Sequence, residues 1–309
     1  NSHIKKSERL SQLCEGIKRI YASTFFRESK SLDHVPIRRF EEEKMGVIIM
    51  ELAGQKHNNL FYPTFSGVAQ SYNYYPVSYM KRKEGVIFTA LGLGKTIVDG
   101  ETSLRFSPKY PDILPQYYST KSILNNSQNK FYALNMKNGI NTMNFGETKN
   151  LEKFDLSIAE KDGVLKHVAS VITKDNILRD SLKYNGTRVI TFANIIKYNQ
   201  FPLTDIISEL MIIGEKSLGC PIEMEFAVNM NNNKQDEFFL LQIKPMVIGN
   251  SKENINIFNY KNDNSLLCYS NQVLGSGSIN NISNIVLVDP KTFQLNKTEE
   301  IAREIGEIN

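Results

Sequence analysis

Between positions 222 and 245 the chain alternates so strictly that few folds can accept it. Ile222, Met224 and Phe226 are apolar, and Glu223 and Glu225 stand between them. In a β-strand successive side chains point to opposite faces, so the two carboxylates share one face and the apolar residues the other. A polar Asn/Lys/Gln/Asp stretch follows Met230, and a second apolar run covers Phe238 to Ile243. The pattern predicts a hairpin with strands over 222–230 and 238–243. Gln242 and Lys244 are also two apart, so in an antiparallel pair they can converge with the glutamates into a patch of two carboxylates, an amide and an ammonium. Carboxylate and amide oxygens are hard ligands suited to magnesium, and a nearby ammonium neutralises phosphate oxygens. The same residues also suit a solvated hairpin face with a cross-strand Glu–Lys pair. Spacing leaves both readings open.

Around this hairpin the periodicity predicts a mixed architecture. Leu10, Leu13, Cys14, Ile17, Ile20, Tyr21 and Phe25 recur at helical spacing, so a helix is expected from Ser7 to Leu32. The continuous apolar run Met45 to Met50 reads as a strand buried on both faces. Further strands are expected within 61–75, with Gly67 marking a close approach or bend, over 85–91, and over 131–134 after a turn from Ser122. A second helix is predicted from Phe201 to Leu218, with Pro202 in its first turn and Gly219 closing it. The tail predicts a strand over 285–288 and a last helix from about Thr298. Strands mixed with a few long helices argue α+β, or mixed α/β, rather than an all-helical fold.

Several classes of function are disfavoured. No apolar stretch reaches the length of a membrane span. The 37 Lys and Arg against 33 Asp and Glu leave a net charge of +4, too mild to argue for nucleic acid. Cys14, Cys220 and Cys268 are too dispersed for a disulfide framework or a zinc site, and fit a reducing cytoplasm. His3, His34, His57 and His167 lack ligand spacing. Gly92-Leu93-Gly94-Lys95-Thr96 ends like a phosphate-binding P-loop, but that pattern needs glycine where Thr89 stands. A tight glycine turn after a buried strand, with Lys95 and Asp99 at the surface, is the expected reading.

Three stretches, taken in order, resemble one family. Phe65-Ser66-Gly67-Val68-Ala69, with Ala90 to Gly100 after it, is similar to the Ser-Gly-Val and Gly-Leu-Gly-Glu segments of the phosphoenolpyruvate synthase and pyruvate phosphate dikinase family. Ile222-Glu223-Met224-Glu225-Phe226-Ala227 resembles that family's Asp-Ile-Glu-Trp-Ala strand, and Leu240-Leu241-Gln242-Ile243-Lys244-Pro245 its Leu-Gln-x-Arg-Pro. Order and spacing fit from about Tyr21 to Met246.

The resemblance implies an ATP-grasp nucleotide-binding domain with ATP and magnesium as cofactors. It implies that Glu225 and Gln242 hold the metal, that Glu223 assists in place of the family's Asp, and that Lys244 replaces the family's Arg as the catalytic cation on the phosphates. Glu51, Leu52 and Ala53, at the end of the strand Val47 to Ala53 that resembles the family's lead into the adenine hinge, would line the adenine. In the full-length enzyme, phosphate would pass from MgATP to a histidine on a mobile domain and on to pyruvate or a similar acceptor. The partners would be those phosphohistidine and pyruvate-binding domains. The family's Arg-Ser-Ser lobe and Thr-Ser/Cys-His motif do not occur in the sequence. The chain is therefore expected to be a fragment, inactive alone: a partial ATP-grasp domain over 1–249, a linker over 250–265, and an extension over 266–309 that could begin a following domain. The alternatives are a degenerate nucleotide-sensing or scaffold module without catalysis, and a binding module unrelated to nucleotides.

Overall fold

The computed structural model describes residues 6–23, 46–77, 80–136, 150–231, 235–246, 266–267, 281–289, 291–294 and 297–308. It divides into two units, residues 1–52 and 53–309. The expected linker over 250–265 lies outside the described residues.

In the first unit, helix α1 (Lys6–Ser23) follows the apolar spacing and carries a Glu15–Arg19 pair one turn apart. The rest of the helix expected to Leu32 lies outside the described residues. The strand expected over 45–50 is absent at 46–50: Ile48, Ile49 and Met50 are exposed, and no described strand pairs with this run. An apolar run is buried as a strand only where a neighbouring ladder receives its backbone.

The second unit is built from three antiparallel sheets. Strands β1 (Gln55–His57), β2 (Leu60–Tyr62), β6 (Lys130–Asn135) and β7 (Leu151–Asp155) form one sheet in the order β1-β2-β6-β7. Strands β3 (Phe65–Gln70), β4 (Val86–Leu91), β5 (Leu104–Phe106), β11 (Ile222–Asn229) and β12 (Glu237–Pro245) form the largest, in the order β12-β11-β3-β4-β5. Strands β8 (Ala169–Ile172), β9 (Leu178–Arg179) and β10 (Thr187–Ile190) form the third. Short helices α2 (Lys95–Val98), α3 (Thr120–Asn126), α4 (Leu156–Lys161) and α5 (Ala193–Ile196) connect them. The turn expected at Ser122 is helix α3, because the Ser119 side chain caps it by accepting from the Ser122 N–H at 3.1 Å.

Helix α6 (Leu203–Leu218) ends at Gly219 in the left-handed conformation, as expected, but begins only after Pro202, which occupies the N-cap position instead of sitting in its first turn. It lays Leu203, Ile207 and Met211 into one core with Ile222, Met224 and Phe226 of the central sheet. Phe65 adds edge-on contacts to Phe192 and Phe201, with ring centroids at 5.5 and 6.3 Å. Burial of these apolar side chains is the main force holding the sheet against the helix. The tail strand expected over 285–288 is exposed chain without a ladder, whereas helix α7 (Thr298–Ile308) forms where expected. Among the described residues no helix is long and apolar enough to cross a membrane.

Candidate functional site

One face of the central sheet packs into the core and the other stays open. On β11, Ile222, Met224 and Phe226 are fully buried, while Glu223 and Glu225 between them are only half-buried. The register places Glu223 opposite Lys244 and Glu225 opposite Gln242. On the other side of β11, Glu223 faces Gln70 and Glu225 faces Val68 of β3. Side chains directly opposite in a ladder share a face, so all six project from the open side.

The contacts fix these side chains unequally. Glu223 accepts a hydrogen bond from Gln70 Nε2 at 2.8 Å and an ion-paired hydrogen bond from Lys244 Nζ at 2.8 Å. Burial acts to raise the Glu223 carboxyl, but the bonds from Lys244 and Gln70 outweigh it and hold it below the usual carboxylate range. The hydrogen bond to Glu223 raises Lys244 in turn. Glu225 has only a 3.8 Å approach from the same ammonium. The Gln242 amide makes no hydrogen bond among the described residues. The patch thus keeps one loosely held carboxylate and one free amide, side by side.

A bulge makes this possible. Phe238 pairs with Val228 and stacks on Phe226 at 5.6 Å, so it belongs to the core face. Gln242 and Lys244 belong to the open face. Strict alternation would put residues 238, 242 and 244 on one side. The register slips by one residue between Glu225 and Phe226, and that slip sends each group to its proper face. Gly67, paired with Phe226, has no room for a side chain: a Cβ there would run into the Phe226 ring and stand 2.6 Å from the Phe88 carbonyl oxygen. The glycine lets the Phe226 ring lie against β3 on the core side of the sheet.

The glycine turn after β4 takes the bland form expected of it. Ser66 Oγ donates to the Gly92 carbonyl at 2.7 Å, and Gly92 adopts a φ of 82° where a Cβ would stand 2.7 Å from the Tyr132 carbonyl oxygen. Helix α2 is four residues long, and Lys95 is committed to Asp99 at 3.0 Å. His57 lies tilted against Tyr62 with centroids 4.4 Å apart, and burial holds both His57 and His167 below the usual imidazole range. His3, His34 and Cys268 lie outside the described residues.

Of the residues expected at the adenine, Glu51 and Leu52 are exposed and lie in the first unit. Ala53 opens the second unit and is buried. Its neighbour Gly54 accepts a 3.4 Å hydrogen bond from Asn229, at the far end of β11 from Glu223. Sequence reasoning missed Gln70, since nothing local links it to a glutamate 153 positions away. It also missed Arg105, opposite Phe88 at the sheet's other edge. A lone arginine between the apolar Leu104 and Phe106 was the available signal.

The sequence model of one family, described as the pyruvate phosphate dikinase AMP/ATP-binding domain, matches residues 6–264. The chain belongs to that family. The match spans the hairpin, the glycine turn and the open sheet face, so this pyruvate phosphate dikinase-type domain carries an AMP/ATP-binding fold on the residues described above. No curated protein matches the chain.

Among the described residues no group of three His, Cys, Asp or Glu side chains could hold a metal by itself. The donor set nevertheless suits magnesium, which takes one or two carboxylates and completes its shell with water and phosphate oxygens. Glu225 offers one carboxylate and Gln242 one amide oxygen on adjacent strands, without hydrogen bonds to other described residues.

Proposed function

We propose that the open sheet face is the phosphate-side wall of a MgATP site, with Glu225 and Gln242 as the metal-binding pair and Lys244 as the cation on the phosphates. The observation that carries this reading is the cross-strand row in which Glu225 faces Gln242 and Glu223 faces Lys244, on the exposed side of a sheet belonging to an AMP/ATP-binding family. Magnesium bound there would neutralise phosphate charge and hold the phosphates in register. The protein's own contribution is positioning: Gln70 and Lys244 fix Glu223, and the bulge fixes which way Gln242 points. In the longer enzyme the phosphate would go to a histidine on a mobile domain and then to pyruvate or a similar acceptor.

Calorimetric titration of the chain with ATP tests this. Binding is expected in excess magnesium and is expected to vanish in EDTA. Equal binding in both, or none at millimolar MgATP, would sink the assignment. Lys244→Arg restores the family's forked cation and adds one charge-assisted hydrogen bond, so MgATP binding is expected to tighten about fivefold. An unchanged or weaker affinity would argue that Lys244 does not meet phosphate.

One observation favours a second reading, a module that binds nucleotide without transferring phosphate. Lys244 is already engaged by both carboxylates, at 2.8 and 3.8 Å, and lacks the fork that could serve phosphate and glutamate together. Release of AMP or ADP from ATP by the full-length protein would exclude it.

A further inference from the structure

A cleft of about 300 Å³ lies at the β5 edge of the central sheet, its polar lining side chains Asn73, Arg105, Ser107 and Gln116. Its polar groups are of one kind. Arg105 donates from Nη2 to Asn73 Oδ1 at 2.8 Å and to the Tyr75 carbonyl at 2.6 Å, both uncharged acceptors. Its Nε and Nη1 hydrogens meet no acceptor among the described residues, and no described carboxylate pairs with it. Burial lowers the guanidinium from its ordinary value, yet an arginine stays charged.

Asn73 is 3% exposed, and its amide orientation is settled by its neighbours. The oxygen already accepts from Arg105 and from the Tyr75 N–H at 3.0 Å, so the NH₂ group must face away from both. That NH₂ has no partner among the described residues. Ser107 is also 3% exposed; its oxygen accepts from the Lys109 N–H at 3.3 Å, which leaves its hydroxyl hydrogen to donate. Gln116, the remaining polar side chain, accepts from the Arg105 N–H and donates to the Ser103 carbonyl. Among the described side chains the cleft therefore offers donors from Arg105, Asn73 and Ser107 and a positive charge, with no carboxylate. None of these donors is a sealed, unpartnered atom, so water can reach them, and an anion would replace that water at all of them together. The walls formed by Val77, Met80, Val86 and Ile113 suit an apolar body, which a bare inorganic ion does not have.

We infer that this cleft binds a small organic anion, a carboxylate or a phosphate monoester on an apolar body, held by Arg105, Asn73 and Ser107. The site is separate from the one proposed for MgATP. Arg105 faces Phe88, Phe88 faces Val68 and Val68 faces Glu225. Three interstrand steps of about 4.8 Å put roughly 14 Å between the two rows.

The experiment titrates the chain with phenyl phosphate, benzoate and inorganic phosphate, and repeats it with Arg105→Met and Asn73→Asp. Asn73→Asp keeps the oxygen that Arg105 and Tyr75 use, but replaces the NH₂ donor with a negative charge. We expect phenyl phosphate or benzoate to bind, the stronger of the two naming the head group, and both variants to weaken it at least about tenfold with the melting temperature of Asn73→Asp preserved. Glu225→Gln should leave this binding unchanged, so that failure of the nucleotide reading does not touch it. The inference is overturned if neither organic anion binds at millimolar concentration, if both variants bind like the parent, if inorganic phosphate binds as tightly as phenyl phosphate, or if MgATP displaces the probe competitively.

Discussion

Glu225→Gln is expected to weaken MgATP binding at least tenfold, about 1.4 kcal/mol or more, while leaving the unfolding transition in place. The substitution keeps the size of the side chain and removes its charge. Among the described residues Glu225 has no hydrogen bond on its carboxylate and only a 3.8 Å approach from Lys244, so the fold has little to lose. A bound magnesium would keep an amide oxygen at this position but lose the only full negative charge among its protein ligands. Calorimetry in excess magnesium, beside a urea melt of the same protein, separates the two effects. Parent-like affinity would show that the metal is held elsewhere. An affinity loss accompanied by an equal loss of stability would mean that Glu225 supports the sheet instead.

The largest stability effect is expected from Phe226→Ala, at about 3–5 kcal/mol by urea denaturation. The ring is 1% exposed, lies against Gly67 and stacks on Phe238. Gly67 has no side chain to move into the space, so the cavity cannot close from above. A domain's whole stability is commonly only about 5–15 kcal/mol, which makes this a large fraction of it. Phe226 also adjoins the bulge, so MgATP binding should fall in the folded fraction as Gln242 loses its fixed direction. A loss below about 1 kcal/mol would mean the core repacks around the hole, and the ring would then not be what sets the sheet's geometry.

The hairpin could be read from sequence because a period of two assigns faces without help from the rest of the molecule. Glu223, Glu225, Gln242 and Lys244 meet as the alternation suggested. Helix α6 was readable for a similar reason, since Pro202 and Gly219 punctuate an apolar stripe. The bulge was not readable, because Phe238 to Lys244 looks like an unbroken strand and the slip is visible only against β11. Nor was the pairing of β11 with β3, which brings Gln70 to Glu223. The run at 46–50 misled in the opposite direction: its hydrophobicity says that burial would be favourable, and nothing local says whether a ladder waits to receive it. Arg105 escaped notice because its significance lies in what does not contact it.

The bulge at Glu225 has a consequence for how such a domain can diverge. Its two sides answer to different constraints, one to packing and the other, on the proposed nucleotide reading, to ligand chemistry, and a single unpaired residue insulates them. Exchanging Arg for Lys or Asp for Glu on the ligand side leaves the phasing of the aromatic side untouched. Deleting that one residue would be another matter, since it would rotate either the amide and ammonium or the phenyl rings onto the wrong surface. Lineages of this hairpin should therefore vary freely in side-chain identity near the bulge and hardly at all in strand length.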